Sequence, residues 1–359
     1  MKGKMWVNRF IEPGCMRYQE EDIPQIADNE ILVRVKACGI CGSDLVFYTG
    51  TAPLDTADGK GPLILGHEFS GVVVELGAIA EKMGLLHPGD RVAINPVQQC
   101  NACPACMRGE FNQCANVEVV GTSVDGAMAQ YVKVKYTHVY KIPDSVSFEE
   151  AALAEPLACA MHGVEKLDIG LGQTVVIYGT GGIGLMMTQL AHIAGAGRVI
   201  VVGRKDFGLQ KAMECGADAV VNNTDQSSPY YSADVAQRIR ALNSGNLADR
   251  AILATGNMFA LQDALRITAK CAIVVYFGQV SPEDVLQVPV MDCLKDEKTL
   301  KFSWQAPLVW DSTFKLLGSG RVKLDAVITH RFSLKDAEKG IRHMIETREP
   351  KIKGVINVD

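Results

Sequence analysis

The chain of 359 residues has no excess of positive charge: 36 Lys and Arg face 41 Asp and Glu, for a formal net charge of -5. Proteins that bind nucleic acid or an anionic membrane surface usually carry a basic patch, so the composition argues against both classes of partner. The amino terminus, MKGKMWVNRF, lacks the apolar run and small-residue cleavage site of a secretory signal. We therefore expect a cytoplasmic protein whose 11 cysteines are reduced thiols or metal ligands.

Residues 169–197 contain no Asp, Glu, Lys or Arg, and a segment of that length could cross a bilayer. Four glycines between positions 179 and 184 interrupt its first half, however, and two more stand at positions 195 and 197. A buried strand followed by a buried helix explains the segment better, because a parallel strand covered on both faces loses its polar alternation. We expect no membrane span here.

No internal repeat and no low-complexity linker divides the chain, although it is about twice as long as a usual single domain. The first third holds short β runs such as EILVRVKACG and DRVAINPV. From residue 157 onwards, apolar strands such as TVVIYG and RVIVVG alternate with helical segments. That alternation is typical of a parallel sheet with crossover helices. We predict two domains, with the change between them along a helix that begins near Pro156.

Four cysteines lie close together in the segment CNACPACMRGEFNQC. Cys100, Cys103, Cys106 and Cys114 follow the spacing C-x2-C-x2-C-x7-C. In a reducing compartment, four thiolates at this spacing can surround one tetrahedral zinc, whereas a disulfide framework would be out of place. Because sulfur takes all four positions, we predict a structural zinc with no site for substrate.

A second set of potential metal ligands is dispersed along the chain. CGICGSD supplies Cys41, LGHEFSG supplies His67 and Glu68, and AEPLA supplies Glu155. One sulfur, one imidazole and a carboxylate suit a zinc ion that keeps a position open for water or substrate. These residues are therefore candidates for a catalytic metal centre.

Residues near these candidate ligands have possible supporting roles. Asp44 could accept the other N–H of His67 and fix its tautomer. Ser43 could relay the proton that a metal-bound alcohol loses. Cys38 also forms a C-x2-C pair with Cys41, but its place at the end of a β run favours a packing role.

The segment TVVIYGTGGIG lies between a strand and an apolar helix. Its first glycine permits a tight turn, the second lets the backbone approach a pyrophosphate, and the last lets helix and strand pack closely. The amino terminus of the helix stabilises the phosphate charge. We predict that a dinucleotide contacts the turn residues Gly179, Thr180, Gly181, Gly182, Ile183 and Gly184.

GICGSD, LGHEFSG, the four-cysteine segment, AEPLA and the glycine turn occur in an order that resembles the zinc-containing medium-chain dehydrogenases. The resemblance spans essentially the whole chain. It implies an α/β protein with a GroES-like, β-rich catalytic domain at residues 1–156 and 300–359, including a structural zinc lobe at about residues 96–116. It also implies a Rossmann domain, with a doubly wound parallel sheet, at residues 157–299.

The resemblance further implies two zinc ions per subunit, one catalytic and one structural. Cys41, His67 and an acidic group would hold the catalytic zinc, and Glu68 and Glu155 are both candidates for that acid. Liver-type alcohol dehydrogenases use a second cysteine where this chain has Glu155, so the match favours the polyol and sugar-alcohol branch. Cys159, one helical turn beyond Glu155, is an alternative ligand.

The strand RVIVVG ends at Gly203, and Arg204 and Lys205 follow it. In NAD-binding members, an Asp or Glu at this position accepts hydrogen bonds from the adenosine ribose and repels a 2′-phosphate. Gly203 removes that side chain and its charge, while the two basic residues supply donors for a phosphate. We therefore expect NADP(H) to be preferred over NAD(H), with a solvated, cofactor-tolerant turn beside Asp206 as the alternative.

The expected reaction is hydride transfer between NADP(H) and a polyol, a sugar derivative, or a small secondary alcohol or ketone. The segment KFSWQAPLVW lacks the Arg-Tyr pair of animal sorbitol dehydrogenases, which argues against sorbitol itself. Oxidation of threonine or butanediol is the alternative reaction. Val46 stands where several relatives have a histidine of the proton pathway, so the relay would end at Ser43 and water or at a cofactor ribose hydroxyl.

Candidates for the substrate pocket are equally consistent with packing; they are Phe47, Tyr48, Thr122, Trp304 and Gln305. A zinc-free quinone or enone reductase would have no use for the candidate ligands of the catalytic zinc. A non-catalytic nucleotide-binding protein is the remaining alternative class.

The family pairs its subunits through an edge of the Rossmann sheet. We therefore expect a homodimer or homotetramer that uses the segment VLQVPVMDCLKDEKTLKF.

Overall fold

The computed structural model describes all 359 residues. The chain divides into two compact units, each built around its own cluster of buried apolar side chains. The first unit comprises residues 1–156, 307–320 and 328–359, and the second comprises residues 157–306 and 321–327.

The strands in chain order are β1 (Lys4–Glu12), β2 (Cys15–Asp22), β3 (Glu30–Ile40), β4 (Leu63–Ile64), β5 (Glu68–Leu76), β6 (Arg91–Ile94), β7 (Val97–Gln98), β8 (Glu118–Val119), β9 (Tyr131–Lys135), β10 (Val139–Lys141), β11 (Thr174–Tyr178), β12 (Arg198–Gly203), β13 (Ala219–Asn222), β14 (Ala248–Leu253), β15 (Thr268–Tyr276), β16 (Thr299–Phe302), β17 (Ile328–Ser333) and β18 (Lys353–Asn357). The α-helices are α1 (Gly42–Thr49), α2 (Ala78–Met83), α3 (Pro104–Met107), α4 (Phe148–Ala152), α5 (Ala154–Glu165), α6 (Gly182–Ile193), α7 (Asp206–Glu214), α8 (Val235–Leu242), α9 (Met258–Arg266), α10 (Val290–Lys295), α11 (Trp310–Gly318) and α12 (Ala337–Glu346).

A seven-stranded sheet forms the centre of the first unit. Its strands run in the order β10-β6-β5-β3-β18-β17, and β9 pairs with β3. In the antiparallel pair of β3 and β5, Gly39 lies opposite Glu68, and β18 pairs antiparallel with β3 so that Gly354 lies opposite Ile40. The carboxyl-terminal strand therefore brings Lys353 to the same end of the sheet as the segments that carry Cys41 and His67.

The second unit contains six parallel strands in the order β13-β12-β11-β14-β15-β16. Numbered within the unit, this is the 3-2-1-4-5-6 order of a Rossmann sheet. All five residues of β11, TVVIY, are buried, as a central strand covered on both faces requires. The predicted fold class, a GroES-like β-rich unit plus a Rossmann sheet, is confirmed.

The uncharged segment 169–197 forms β11 and the 12-residue helix α6. Thus one continuous run of apolar sequence is divided between two elements, with the glycine turn between them. No helix of the structure combines the length and the apolar character that a membrane crossing requires.

The strand β16 occupies one end of the Rossmann sheet. It pairs with β15, and the second unit continues beyond it to Ala306. The boundary expected from the sequence was residue 299. Residues 321–327 also belong to the second unit. The segment 285–302, which the sequence analysis takes as the subunit edge, includes several exposed apolar side chains, namely those of Val285, Val290, Met291, Leu294 and Phe302.

Candidate functional site

Cys41, His67 and Glu68 form one cluster in the first unit. Each offers one ligand atom, and the three atoms lie within 4.8 Å of one another. Cys41 directly follows β3 and caps the amino terminus of α1, where its N–H donates to Asp44 Oδ2 at 2.8 Å. His67 directly precedes β5, and Glu68 is its first residue. The register of β3 and β5 therefore assembles a set of sulfur, nitrogen and oxygen donors from two separate sequence segments.

The surroundings of His67 favour a cation. Asp44 Oδ1 lies 3.7 Å from His67 Nδ1, and both atoms are buried without a hydrogen-bond partner. Ser43 Oγ lies 3.4 Å from His67 Nε2 on the other side of the ring. Burial lowers the pKa of the His67 imidazole, but the negative charges of Cys41 and Asp44 outweigh burial and raise it well above its ordinary value. A positive charge at this cluster would satisfy the same groups.

Glu68 is completely buried and is held by a lysine. Its Oε1 accepts a hydrogen bond from Lys353 Nζ at 2.6 Å, whereas its Oε2 has no hydrogen-bond partner. A Cβ atom at Gly39 would lie only 2.1 Å from Glu68 Oε2, so this carboxylate requires the glycine opposite it. Burial lowers the pKa of Lys353, but the charges of Glu68, Cys41 and Glu155 and the hydrogen bond with Glu68 together raise it above its ordinary value. One carboxylate oxygen thus stays available inside a buried site.

Glu155, the second acidic candidate, is the second residue of α5. Its negative charge contributes to the raised pKa of both His67 and Lys353, which places it within electrostatic reach of the cluster. Cys159 lies one turn further along α5 and is half-buried. Cysteine, histidine and a carboxylate are the donor types of a zinc site with three protein ligands and one open position, so the residues present fit a catalytic zinc.

The four predicted zinc cysteines also come together in the first unit. Cys100, Cys103, Cys106 and Cys114 have sulfur atoms within 4.8 Å of one another. The N–H of Cys103 donates to Cys100 Sγ at 3.4 Å, and the N–H of Cys100 donates to Cys114 Sγ at 3.3 Å. Backbone donors at Ala102 and Cys103 lower the pKa of Cys100 to about 6. Burial raises the pKa of Cys106 to about 12, so the thiols of the lobe differ in acidity. Zinc binds the thiolate form of each cysteine.

The glycine turn connects β11 with α6 in the second unit. Gly179 has a φ of 111°, which L-residues with a side chain rarely adopt. Gly181 is the N-cap of α6, and a Cβ atom at Gly184 would lie 2.1 Å from the carbonyl oxygen of Gly179. The turn thus exposes backbone N–H groups at a helix amino terminus, which fits a pyrophosphate.

The carboxyl end of β12 has no acidic residue, and its last residue, Gly203, has little space for a side chain. Gly203 is buried, and a Cβ atom there would lie 2.7 Å from Thr180 Cγ2. Asp206 Oδ1 accepts hydrogen bonds from Asn222 Nδ2 at 2.8 Å and from Ser228 Oγ at 2.6 Å. The nearest carboxylate is therefore held by neutral donors in the neighbouring loop.

The comparisons with known proteins agree with this geometry. The family model for the alcohol dehydrogenase GroES-like domain matches residues 27–144, and the model for zinc-binding dehydrogenase matches residues 182–317. The sorbitol dehydrogenase of Bombyx mori is 32% identical over 328 residues, which cover 91% of each chain. The chain belongs to the zinc-containing medium-chain dehydrogenases. It lies on their polyol branch and is a zinc-type alcohol or polyol dehydrogenase.

Solved structures of similar dehydrogenases contain either nicotinamide cofactor. A zinc-binding dehydrogenase from Sinorhizobium meliloti 1021, bound to NADP, is 30% identical with a TM-score of 0.89 and 99% coverage of both chains. An alcohol dehydrogenase from Escherichia coli CFT073, in complex with NADH, is 28% identical with the same TM-score and coverage. Similarity of fold therefore does not distinguish NADP from NAD as the cofactor of this dehydrogenase, and the residues of its own cofactor site have to do so.

Two candidates for the substrate pocket of the dehydrogenase use their polar atoms within the chain. Tyr48 is buried, and its hydroxyl lies 2.8 Å from Glu338 Oε1 and accepts from Arg342 Nε at 2.6 Å. The Thr122 hydroxyl donates to Asp55 Oδ2 at 3.0 Å. These contacts favour the packing interpretation that the sequence analysis left open for both residues.

Three residues that contact the carboxylates of Glu68 and Asp206 in the dehydrogenase were not predicted from the sequence. Lys353 pairs with Glu68, while Asn222 and Ser228 hold Asp206. A lysine inside the short terminal strand KGVINV was a usable signal, because a charged residue there needs a partner if the strand is buried. Nothing in the local sequence pointed to Asn222 or Ser228.

Proposed function

We propose that this dehydrogenase transfers hydride between NADP(H) and a polyol, a sugar derivative, or a small secondary alcohol or ketone. The observation that carries the proposal is the cluster of Cys41, His67 and Glu68, whose ligand atoms lie within 4.8 Å of one another. A mixed donor set of three leaves a zinc coordination position for an alcohol or ketone oxygen, which the all-sulfur lobe does not. The cluster therefore supports catalysis, and the lobe supports a structural role.

When bound, zinc acts as a Lewis acid that lowers the pKa of an alcohol, and the nicotinamide accepts its hydride. Cys41 and His67 would hold the metal together with an acidic residue. Asp44, 3.7 Å from His67 Nδ1, would fix the tautomer in which Nε2 is free to bind metal. Ser43 Oγ lies 3.4 Å from that Nε2 and would relay the proton that the alcohol loses, accepting it while its own hydroxyl hydrogen passes to water or to a cofactor ribose hydroxyl.

The acidic ligand would alternate between Glu68 and Glu155 in different catalytic states. Glu68 keeps Oε1 on Lys353 and leaves Oε2 without a hydrogen-bond partner, so it can offer that oxygen without losing its lysine. Glu155 stands at the start of α5 and affects the pKa of His67 through its charge. A buried oxygen without a hydrogen-bond partner costs free energy unless a bound group compensates it. This cost favours a direct contact between Glu68 and the metal in one of these states.

The NADP preference rests on the end of β12. Arg204 and Lys205 are exposed, and neither side chain forms an ion pair within the chain. A 2′-phosphate carries roughly two negative charges, and each charge-assisted hydrogen bond contributes about 1.5–3 kcal/mol. Asp206 Oδ1 accepts hydrogen bonds from Asn222 and Ser228, and its negative charge is the feature of this turn that opposes a phosphate. A side chain at Gly203 would have to displace the Thr180 methyl group, which lies 2.7 Å from the position of a Cβ atom there.

The proposed reaction and cofactor can be tested together. Purified enzyme would be assayed with NADP and with NAD on polyols, secondary alcohols, butane-2,3-diol and threonine, with the zinc content measured on the same preparation. We expect metal-dependent oxidation of a polyol or secondary alcohol and a higher kcat/KM with NADP. Failure of every alcohol and ketone with both cofactors would instead favour a non-catalytic nucleotide-binding protein.

Arg204→Ala tests the phosphate contact itself. We expect KM for NADP to rise about 10- to 100-fold, the equivalent of one charge-assisted hydrogen bond, while KM for NAD stays unchanged. Arg238→Ala is the matched control, because Arg238 is an exposed arginine of the same unit on α8. An unchanged KM for NADP in Arg204→Ala would contradict the contact.

A further inference from the structure

A third group of potential metal ligands lies in the carboxyl-terminal part of the first unit. His330 is on β17, His343 is in the last turn of α12, and Glu349 is in the segment between α12 and β18. One ligand atom from each residue lies within 4.8 Å of the other two. The group shares no residue with the cysteine lobe or with the cluster around His67.

The hydrogen bonds of Thr329 determine the tautomer of His330. The Thr329 hydroxyl donates its only hydrogen to the carbonyl oxygen of Lys353 at 3.1 Å and accepts from the N–H of Ile352 at 3.0 Å. His330 Nδ1 lies 2.9 Å from the same hydroxyl oxygen, so Nδ1 donates to it when the hydroxyl hydrogen is on the Lys353 carbonyl. In neutral His330, Nε2 is then left with a free lone pair. An N–H fixed by a neighbouring acceptor is typical of histidines that bind metal.

His343 supplies an independent indication of a ligand. Its Nε2 is buried and has no hydrogen-bond partner, a state that costs free energy unless something else satisfies the nitrogen. The His330 and His343 rings have centroids 4.7 Å apart and are inclined at 51°, so they do not stack face to face. Two imidazoles in this arrangement can direct lone pairs toward one point.

The packing between β17 and α12 fixes the two histidines in place. A Cβ atom at Gly340 would lie 2.8 Å from Phe332 Cδ2, so the Phe332 ring packs directly against the helix backbone. Phe332 also lies beside both imidazoles, with ring centroids 6.3 Å from His330 and 5.9 Å from His343. The close approach of strand and helix at Gly340 therefore sets the distance between the histidines.

The charges around the cluster include two features that attract a cation and one that repels it. His343 lies in the last turn of α12, where the carbonyl end of the helix dipole favours positive charge. Glu349 is exposed and adds a carboxylate. The nearby Lys351 ammonium donates to the carbonyl oxygens of Ile345 and Thr347 at 3.2 and 3.1 Å. Its positive charge reaches His330 and opposes a cation, so the carboxylate of Glu349 and the helix end have to offset it.

We propose that His330, His343 and Glu349 form a third divalent-metal site, which takes Zn²⁺ or a similar transition-metal ion and ties β17, α12 and the segment leading to β18 together. Two imidazoles and a carboxylate suit zinc, cobalt, nickel and copper better than magnesium or calcium. Neighbouring ligands of a tetrahedral zinc lie about 3.3 Å apart, which falls within the 4.8 Å that bounds the separations of the ligand atoms here. Glu349, exposed in its connecting segment, is the residue with room to move.

The test uses the zinc-loaded enzyme titrated with Co²⁺, and metal per chain is counted after equilibrium dialysis. We expect one further equivalent whose absorption lacks the thiolate-to-cobalt charge-transfer band, because this site contains no sulfur. Exchange into either cysteine-containing site would give that band. His343→Gln should lose the further equivalent, and Glu349→Gln should bind it at least tenfold more weakly, with unchanged turnover in both.

Matched variants keep the result interpretable. Glu346→Gln removes an exposed carboxylate from the same helix, outside the cluster, and should bind Co²⁺ like the wild type. Thr329→Val should weaken binding about 10- to 100-fold, the usual effect of losing a residue that orients a metal ligand. If His343→Gln does not fold, Glu349→Gln decides the question, since its side chain is exposed. A wild type that binds no sulfur-free equivalent, or a Glu349→Gln variant that binds it as tightly as the wild type, overturns the proposal.

Discussion

The two cysteine-containing metal clusters of the first unit are built in different ways. The ligands of the four-cysteine lobe all lie between residues 100 and 114, in a segment with one four-residue helix, α3, and a short 3-10 turn. The ligands around His67 come from residues 41 and 67–68 and depend on the register of β3 and β5. The lobe is thus a local structure, whereas the second cluster exists only if the sheet is formed.

The two clusters also differ in how their polar atoms are satisfied. In the lobe, backbone N–H groups donate to the sulfur atoms of Cys100 and Cys114. Around His67, three buried atoms have no hydrogen-bond partner: Asp44 Oδ1, His67 Nδ1 and Glu68 Oε2. Such atoms lower stability unless a bound group or another partner compensates them. The contrast supports the structural role proposed for the first cluster and the catalytic role proposed for the second.

The largest expected effect is on turnover, from a change in the catalytic cluster. His67→Ala removes the only nitrogen ligand and should lower kcat by at least about 1,000-fold, because Lewis-acid stabilisation contributes several kcal/mol. Cofactor affinity should not change, since the glycine turn belongs to the other unit. Steady-state kinetics and a cofactor titration measure the two quantities.

His87→Ala is the matched control for that experiment. His87 is a largely exposed histidine in the same unit, with 67% of its side chain accessible, and its loss should leave kcat within about twofold of the wild type. Substantial turnover in a metal-free His67→Ala or Cys41→Ser enzyme would refute the assignment of the cluster.

Changing the lobe should affect metal content and stability more than chemistry. Cys103→Ala removes one of four thiolates from a site type that contributes about 10–16 kcal/mol of binding energy in isolated peptides. We expect the loss of one zinc per chain and a lower Tm, with residual activity in proportion to folded enzyme. Elemental analysis and thermal unfolding measure both effects.

The control for Cys103→Ala is Cys15→Ala, which removes a half-buried free cysteine on β2. The zinc content and the Tm of this variant should equal those of the wild type. If Cys103→Ala had the zinc content and the Tm of the wild type, the lobe would not hold a metal.

The sequence could predict these clusters to different degrees. The spacing of the four cysteines indicates the lobe directly, because the ligands are local. The dispersed ligands Cys41 and His67 could be named from their motifs, but Lys353 could not be paired with Glu68, because only the antiparallel register of β18 and β3 brings them together. Likewise, the missing acid at Gly203 was visible in the sequence, whereas the obstruction by Thr180 needed the backbone of the folded turn.

The smallest expected effect concerns the buried ion pair that supports the catalytic cluster. Lys353→Met leaves the fully buried Glu68 carboxylate without its ammonium partner. Breaking a buried pair from one side costs about 3–5 kcal/mol, so the Tm should fall clearly. Replacing both residues, as Glu68→Gln with Lys353→Met, should restore part of the lost stability, because no uncompensated charge then remains.

An exposed pair of the same kind provides the comparison. Lys133 lies 3.3 Å from Glu30 with 46% of its side chain accessible, and a pair of this type contributes about 0.2–1 kcal/mol. Lys133→Met should therefore leave the Tm nearly unchanged. Equal Tm changes in the two lysine variants would mean that Glu68 finds water or another donor when Lys353 is absent. Glu68 would then be mobile enough to reach a metal without the lysine, and its buried, unpartnered Oε2 would lose its value as evidence for a catalytic role.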